Sequence, residues 1–204
     1  MKEDILEQLV DDYLQSQGYF TRHNLKFRPS QDGTEFVSKK DSNHTDIDVI
    51  GYNPHLPGTE RVVAVSCKSW QSGFRVKSWL NALEGKKKIS GRESWKFFRE
   101  LIEPKWSQAF ADAIKSATGS SAFTYVTAVT AVTVEGEKEL WEKYSPFQDA
   151  MRGNPIKLLT LSDMVEKMIA GIGKTLASSN PGRTLQLLKA SGYSLSIDKT
   201  RHRR

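Results

Sequence analysis

Two apolar segments, Asp46–Tyr52 (DIDVIGY) and Arg61–Lys68 (RVVAVSCK), hold the residues whose types and spacing invite chemistry. Both read as strands, and the turn-rich Asn53–Glu60 (NPHLPGTE) between them makes a hairpin the natural connection. Pairing Tyr52 with Val62 sets Asp48 opposite Ser66 and Asp46 opposite Lys68. Because side chains alternate across a strand, these four groups share one face, and Ile47, Val49, Val65 and Cys67 make the other. Two carboxylates, a hydroxyl and an ammonium are expensive to bury without a purpose. Carboxylate oxygens suit a hard cation. The plain alternative is the wet side of an antiparallel sheet, with Asp46 and Lys68 as a cross-strand ion pair.

The elements that would position this face follow from periodicity. Ile5, Leu6, Leu9, Val10, Tyr13 and Leu14 recur at helical spacing ahead of Gly18, with Glu7 and Asp11 on the more polar side. Tyr19 to Phe27 reads as a first strand, and the polar stretch 29–45 as an irregular hairpin around Gly33. Beyond Lys68 lie helical pieces at Val76–Lys87 and Lys105–Ala117, then a β-branched strand over Phe123–Val134. A helix over Glu137–Met151, a strand over Ile156–Leu161, a helix over Ser162–Ala170 capped by Ser162, and a last helix over Arg183–Ala190 complete the chain. The order predicts a mixed α/β domain over 1–170 with a basic, helical insertion around 71–118, and a helical extension with a basic tail over 171–204.

Composition bounds the reading. A chain of 204 residues, 38% hydrophobic and 26% charged, can bury one sizeable core. No apolar run is long enough to span a bilayer, and no signal-peptide core opens the sequence, so a cytoplasmic, non-membrane protein is expected. A single cysteine excludes an internal disulfide framework and a multi-cysteine zinc site. The net charge of +6 permits a polyanion without requiring one. Its distribution is more telling: Lys77, Lys86, Lys87, Lys88, Arg92, Lys96, Arg99 and Lys105 gather in the insertion, and Lys199, Arg201, Arg203 and Arg204 in the tail.

The two strand segments resemble the PD-(D/E)XK nuclease superfamily: an aspartate ending an apolar strand, a hairpin, then acid–x–Lys. They stand here as Thr45–Asp46–Ile47–Asp48–Val49–Ile50–Gly51 and Val63–Ala64–Val65–Ser66–Cys67–Lys68–Ser69–Trp70. The helix Leu6–Glu7–Gln8–Leu9–Val10 followed by Gly18–Tyr19, and the aromatic soon after Cys67–Lys68, resemble Mrr-type restriction endonucleases and archaeal junction resolvases. The resemblance covers about Asp4 to Trp70 and implies a restriction endonuclease-like core, a central mixed β-sheet flanked by helices. It further implies a metal-dependent endonuclease of restriction or defence type, acting on double-stranded DNA with Mg²⁺, for which Mn²⁺ can substitute, and with a second copy of the chain as a candidate partner.

By the same resemblance Asp48 is the primary metal ligand, with Asp46 as its alternative, and the carbonyl of Cys67 is a second ligand. Lys68 positions the nucleophile and stabilises charge, and Glu7 reaches the site through a metal-bound water. Ser66 departs from the pattern, which expects an acid there. Some type II restriction enzymes with serine at this place supply the acid from the following helix. The first acid after Lys68 is Glu84, at the border of the buried stripe of Val76–Lys87, and it is the predicted replacement. Lys86, Lys87, Lys88 and Arg92 are predicted phosphate contacts, and Trp70, with Trp79, a surface on which bases stack. The rival reading that Ser66 keeps open is a degenerate nuclease fold that binds DNA or a protein without cutting. A third is an interaction domain with an ordinary basic surface. Weaker signals carry less. Gly171–Thr175 mimics the end of a P-loop but has Met168 where glycine is needed, and Cys67 reads as a packed thiol.

Overall fold

A computed structural model describes residues 4–33, 36–134, 136–172 and 179–192. Five strands form one mixed sheet: β1 (Phe20–Phe27), β2 (Thr45–Tyr52), β3 (Val62–Lys68), and, past the small hairpin β4 (Lys88–Ile89) and β5 (Arg92–Glu93), β6 (Thr124–Val129) and β7 (Ile156–Thr160). The sheet order is β1-β2-β3-β6-β7, antiparallel from β1 to β3 and parallel from β3 to β7. Tyr52 pairs with Val62, as the hairpin reading expects.

Helices α1 (Ile5–Ser16), α8 (Leu161–Gly171) and α9 (Asn180–Ala190) cover one face. There Leu6, Val10 and Leu14 meet Val49, Val63, Val65, Met164 and Leu185. The other face lies under α3 (Val76–Glu84), α4 (Arg99–Ile102), α5 (Pro104–Thr118), α6 (Lys138–Glu142) and α7 (Ser145–Ala150), with α2 (Ser38–Asp41) at its margin. This second core is aromatic: Trp70, Phe74, Trp79, Phe98 and Trp141 stack or meet edge to face, with Trp106 and Phe110 packing on Phe27. Each such pair adds about 0.5–1.5 kcal/mol to the burial itself. Among the described residues no helix is long and apolar enough to cross a membrane.

Four expectations change. The strand expected to reach Val134 leaves the sheet after Val129, where its neighbours β3 and β7 also end, and Val132 bridges Phe74 instead. The helix expected over Glu137–Met151 breaks at Pro146, which opens α7, because proline cannot continue the preceding turn. The stretch 29–45 holds the short α2 rather than a hairpin. Thr160, not Ser162, caps α8, through a reciprocal box with Asp163. The mimic at Gly173–Thr175 and the basic tail Lys199–Arg204 lie outside the described residues.

Asp41 anchors the margin beneath β1. It is fully buried and takes hydrogen bonds from Lys105 Nζ (2.6 Å), Trp106 Nε1 (3.3 Å) and the Val37 N–H (2.8 Å). Burial alone would raise its carboxyl, but Lys105, the Val37 N–H and Trp106 outweigh it and hold the group below its ordinary value. A depressed folded value means the stabilisation is present above the ordinary aspartate range and lost as pH falls through the folded value. Asp41→Ala is therefore expected to cost about 3–5 kcal/mol at neutral pH. The gap to wild type should narrow on acidification, read from denaturant midpoints of both proteins near pH 7 and pH 3.

Candidate functional site

The site forms where β2 and β3 part. Their ladder runs from Tyr52–Val62 to Val49–Val65, and at the next step the Asp48 side chain takes over: Oδ2 accepts the Cys67 N–H at 2.6 Å. The carboxylate thus stands in for a strand partner and is fixed at the fork. The strict alternation expected of β2 fails here, since Ile47 packs in the same core as Ile50 while Val49 faces the other. The neighbouring position on β1, Asn24, takes a left-handed φ of 52° between the pairs His23–Val49 and Leu25–Ile47. Asp46 lies half-buried opposite Lys26 of β1.

Lys68 closes β3. Its Nζ donates to Ser66 Oγ at 2.8 Å and to the Cys67 carbonyl at 3.2 Å, and it stands 5.6 Å from the centre of the Phe98 ring. From the opposite side α1 brings Glu7. Burial pushes its carboxyl up, Asp48 and Asp4 push it further, and His23 and Lys68 pull it down. Asp4 ties this helix to the site: one oxygen caps α1 by accepting the Leu6 N–H at 2.9 Å, and the other accepts from Ser69 Oγ. The structure brings Asp48, Lys68, Ser66, Cys67 and Glu7 together.

A further carboxylate joins them. Glu100 of α4 is buried, and Tyr125 Oη donates to its Oε1 at 2.6 Å. The Asp48 carboxyl is raised by burial first; Lys68 and the Cys67 N–H oppose this, and Glu100 and Asp46 add to it. Tyr125 is itself wholly buried, its hydroxyl driven well up by burial and by Glu100, with the nearby Ser66 and Thr127 hydroxyls acting to lower it. Two separate bonds flank the site, Lys68 donating to Ser66 and Tyr125 donating to Glu100. Serine at position 66 holds the lysine instead of supplying the acid.

Glu84 does not reach this place. It ends α3, exposed, and its Oε1 accepts from Tyr144 Oη at 2.8 Å, which with burial pushes that phenol up to about 12. The helix buries Val76, Trp79, Ala82 and Leu83, and the next step points Glu84 at the start of α7. The carboxylate that acts on Asp48 from the helical side is instead Glu100, on the following short helix. Its signal was present as a lone acid inside Phe97–Phe98–Arg99–Glu100–Leu101–Ile102, an apolar run in which a carboxylate needs a reason.

Trp70 is not a free stacking surface either. It lies 4.6 Å from Trp79 at an interplanar angle of 5° and contacts Phe74, Phe97 and Phe98. Lys86, Lys87, Lys88 and Arg92 are exposed on and beside the β4–β5 hairpin, whose tip Ser90–Gly91 has φ of 50° and 77°. The hairpin is rigidly seated: Ser94 Oγ donates to the Ala82 carbonyl (2.9 Å), the Lys87 N–H to the same carbonyl (2.8 Å), and the Ser94 N–H to the Lys87 carbonyl (2.9 Å). The Cys67 thiol is raised well above its ordinary value by burial and then by Asp48, which makes it inert.

The donor set fits a hard divalent cation in part. Among the described residues Asp48 Oδ1 and Glu100 Oε2 take no hydrogen bond, and the Cys67 carbonyl is a third candidate. Among the described residues no cluster of three or more His, Cys, Asp or Glu side chains is arranged to hold a metal. Two carboxylates and a carbonyl are nevertheless the kind of oxygen set that Mg²⁺ completes with water and phosphate. Comparison with family models, curated proteins and solved structures returns no match.

Proposed function

We propose that this chain is a metal-dependent DNA endonuclease built on a restriction endonuclease-like core, as the resemblance in its two strand segments implies. The observation that supports this best is the fork itself: Asp48 is fixed against the Cys67 N–H, with Lys68 one residue further along β3 and Glu100 buried alongside. Asp48, Glu100 and the Cys67 carbonyl would hold the cation. Mg²⁺, when bound, supplies positive charge to a phosphodiester and lowers the pKa of an attacking water. The Lys68 ammonium, held on Ser66 and the Cys67 carbonyl, is placed to donate to a phosphate oxygen as charge develops there. Glu7 orients water from the α1 side. The β4–β5 hairpin grips the DNA backbone ahead of the site.

Supercoiled plasmid tests the reading. The full chain should convert it to nicked or linear DNA with Mg²⁺ or Mn²⁺, stop when EDTA is added, and lose the activity in Asp48→Ala. DNA that is bound in Ca²⁺ yet stays intact in Mg²⁺ and Mn²⁺ would instead favour a binding protein on a nuclease scaffold. Neutralising Lys86, Lys87 and Lys88 together should weaken binding to every sequence alike and reduce the slope of log affinity against log salt by about two to three. An unchanged slope would return the three lysines to ordinary surface.

A further inference from the structure

Between Gly85 and Arg99 the chain carries six cationic residues, Lys86, Lys87, Lys88, Arg92, Lys96 and Arg99, against the single Glu93. Two of them differ from solvated lysines. Arg99 is half-buried, with its guanidinium 4.7 Å from the Trp106 ring centre and 5.9 Å from that of Trp95. Its Nε is buried without a hydrogen-bond partner. Arg92 lies 4.8 Å over the Phe97 ring and donates to the Lys96 carbonyl at 3.3 Å. Among the described residues neither arginine has a carboxylate within ion-pair distance. The acids that act on Arg99 are already engaged, Glu100 by Tyr125 and Asp41 by Lys105 and Trp106, and Glu93 beside Arg92 pairs with Lys96.

Aromatic faces hold a guanidinium in a set orientation but do not neutralise it. Both groups lie against the same short segment, Arg92 over Phe97 and Arg99 beside Trp95. Two repelling, pre-oriented guanidinium groups gain when one anion sits between them. Two oxygens of a tetrahedral phosphate can accept the two parallel N–H bonds of a planar guanidinium, which lysine does not offer. Arg99 also immediately precedes Glu100, so an anion held there lies close in the chain to the fork of β2 and β3.

We propose that Arg92 and Arg99 form a phosphate site that anchors one backbone phosphate of the nucleic acid beside the Asp48 and Glu100 carboxylates. This deepens the nuclease reading and rests on it for the nature of the substrate.

Fluorescence anisotropy with a labelled duplex in Ca²⁺ tests it on the full chain. Arg99→Gln should bind about tenfold more weakly and lose about one unit of the salt slope. Arg99→Lys should keep the slope yet recover only part of the affinity, because the charge returns without the fork. Inorganic phosphate should compete for wild type at lower concentration than for Arg99→Gln. Thermal melting checks the fold, and if Arg99→Gln melts early, Arg92→Gln on the exposed hairpin carries the same expectation. Wild-type affinity and slope in a folded Arg99→Gln, or in Arg92→Gln where the former does not fold, would overturn the site. The nuclease reading falls separately: weakened binding in the arginine variants with no nicking by wild type leaves the phosphate site standing. Nicking by wild type with unchanged binding in the variants removes the phosphate site alone.

Discussion

Lys68→Ala is expected to lower cleavage by about a thousandfold while duplex affinity in Ca²⁺ changes by less than about threefold. The amine is held by Ser66 Oγ at 2.8 Å and the Cys67 carbonyl at 3.2 Å, so its position is set before substrate arrives. A charge fixed in this way contributes most where negative charge grows during reaction, and less to a ground-state duplex, whose many phosphates the proposed hairpin contacts would meet. The fold should survive, since Lys68 closes a strand and its side chain is only half-buried. Lys68→Arg tests geometry against charge: the longer planar group cannot reproduce two bonds directed from one nitrogen, and it should rescue poorly. Single-turnover rates and anisotropy on the same protein separate the effects. Equal losses of rate and affinity would make Lys68 a phosphate anchor only.

Much of this arrangement was legible because local pattern and partner agree. Residues 62–65 (VVAV) are apolar on both faces, as a central strand covered by helices on both sides requires, and the turn between Tyr52 and Val62 leaves few registers. The spacing of Leu6, Val10 and Leu14 likewise marked the buried stripe of α1, because apolar residues one turn apart share a helix face. What was not legible depends on where other elements end. β-propensity continues through Val134, but strands stop when their partners do, at Lys68 and Thr160. The β4–β5 hairpin is too short for any periodicity, and only the Ser90–Gly91 pair, with both residues left-handed, announces it. The choice between Glu84 and Glu100 is of the same kind. Glu84 ends its helix and Glu100 lies within an apolar run, and only the packing of α4 against Tyr125 decides which carboxylate acts on Asp48.

Glu100→Gln is accordingly expected to reduce metal-dependent cleavage about as heavily as Asp48→Asn, on the order of a thousandfold, whereas Glu84→Gln should stay near wild type. A hard cation held by one carboxylate is left mainly to water, and the second acid supplies both charge and direction. Glutamine conserves the volume of Glu100 and keeps an oxygen for the Tyr125 hydroxyl, so the buried hydrogen bond can persist and the loss is not a loss of fold. Titration with Mn²⁺ provides a readout independent of turnover: affinity should fall in Glu100→Gln and hold in Glu84→Gln, whose exposed bond to Tyr144 is worth about 1 kcal/mol of stability. Tyr125→Phe should show a milder version of the Glu100 defect, because the carboxylate stays but loses the group that orients it. The double change Ser66→Glu with Glu100→Gln returns an acid to the β3 side of the fork and should restore part of the cation affinity that Glu100→Gln removes. Full activity and full Mn²⁺ affinity in Glu100→Gln would sink the assignment, leaving Glu7 or Asp46 to act with Asp48 at the parting of the two strands.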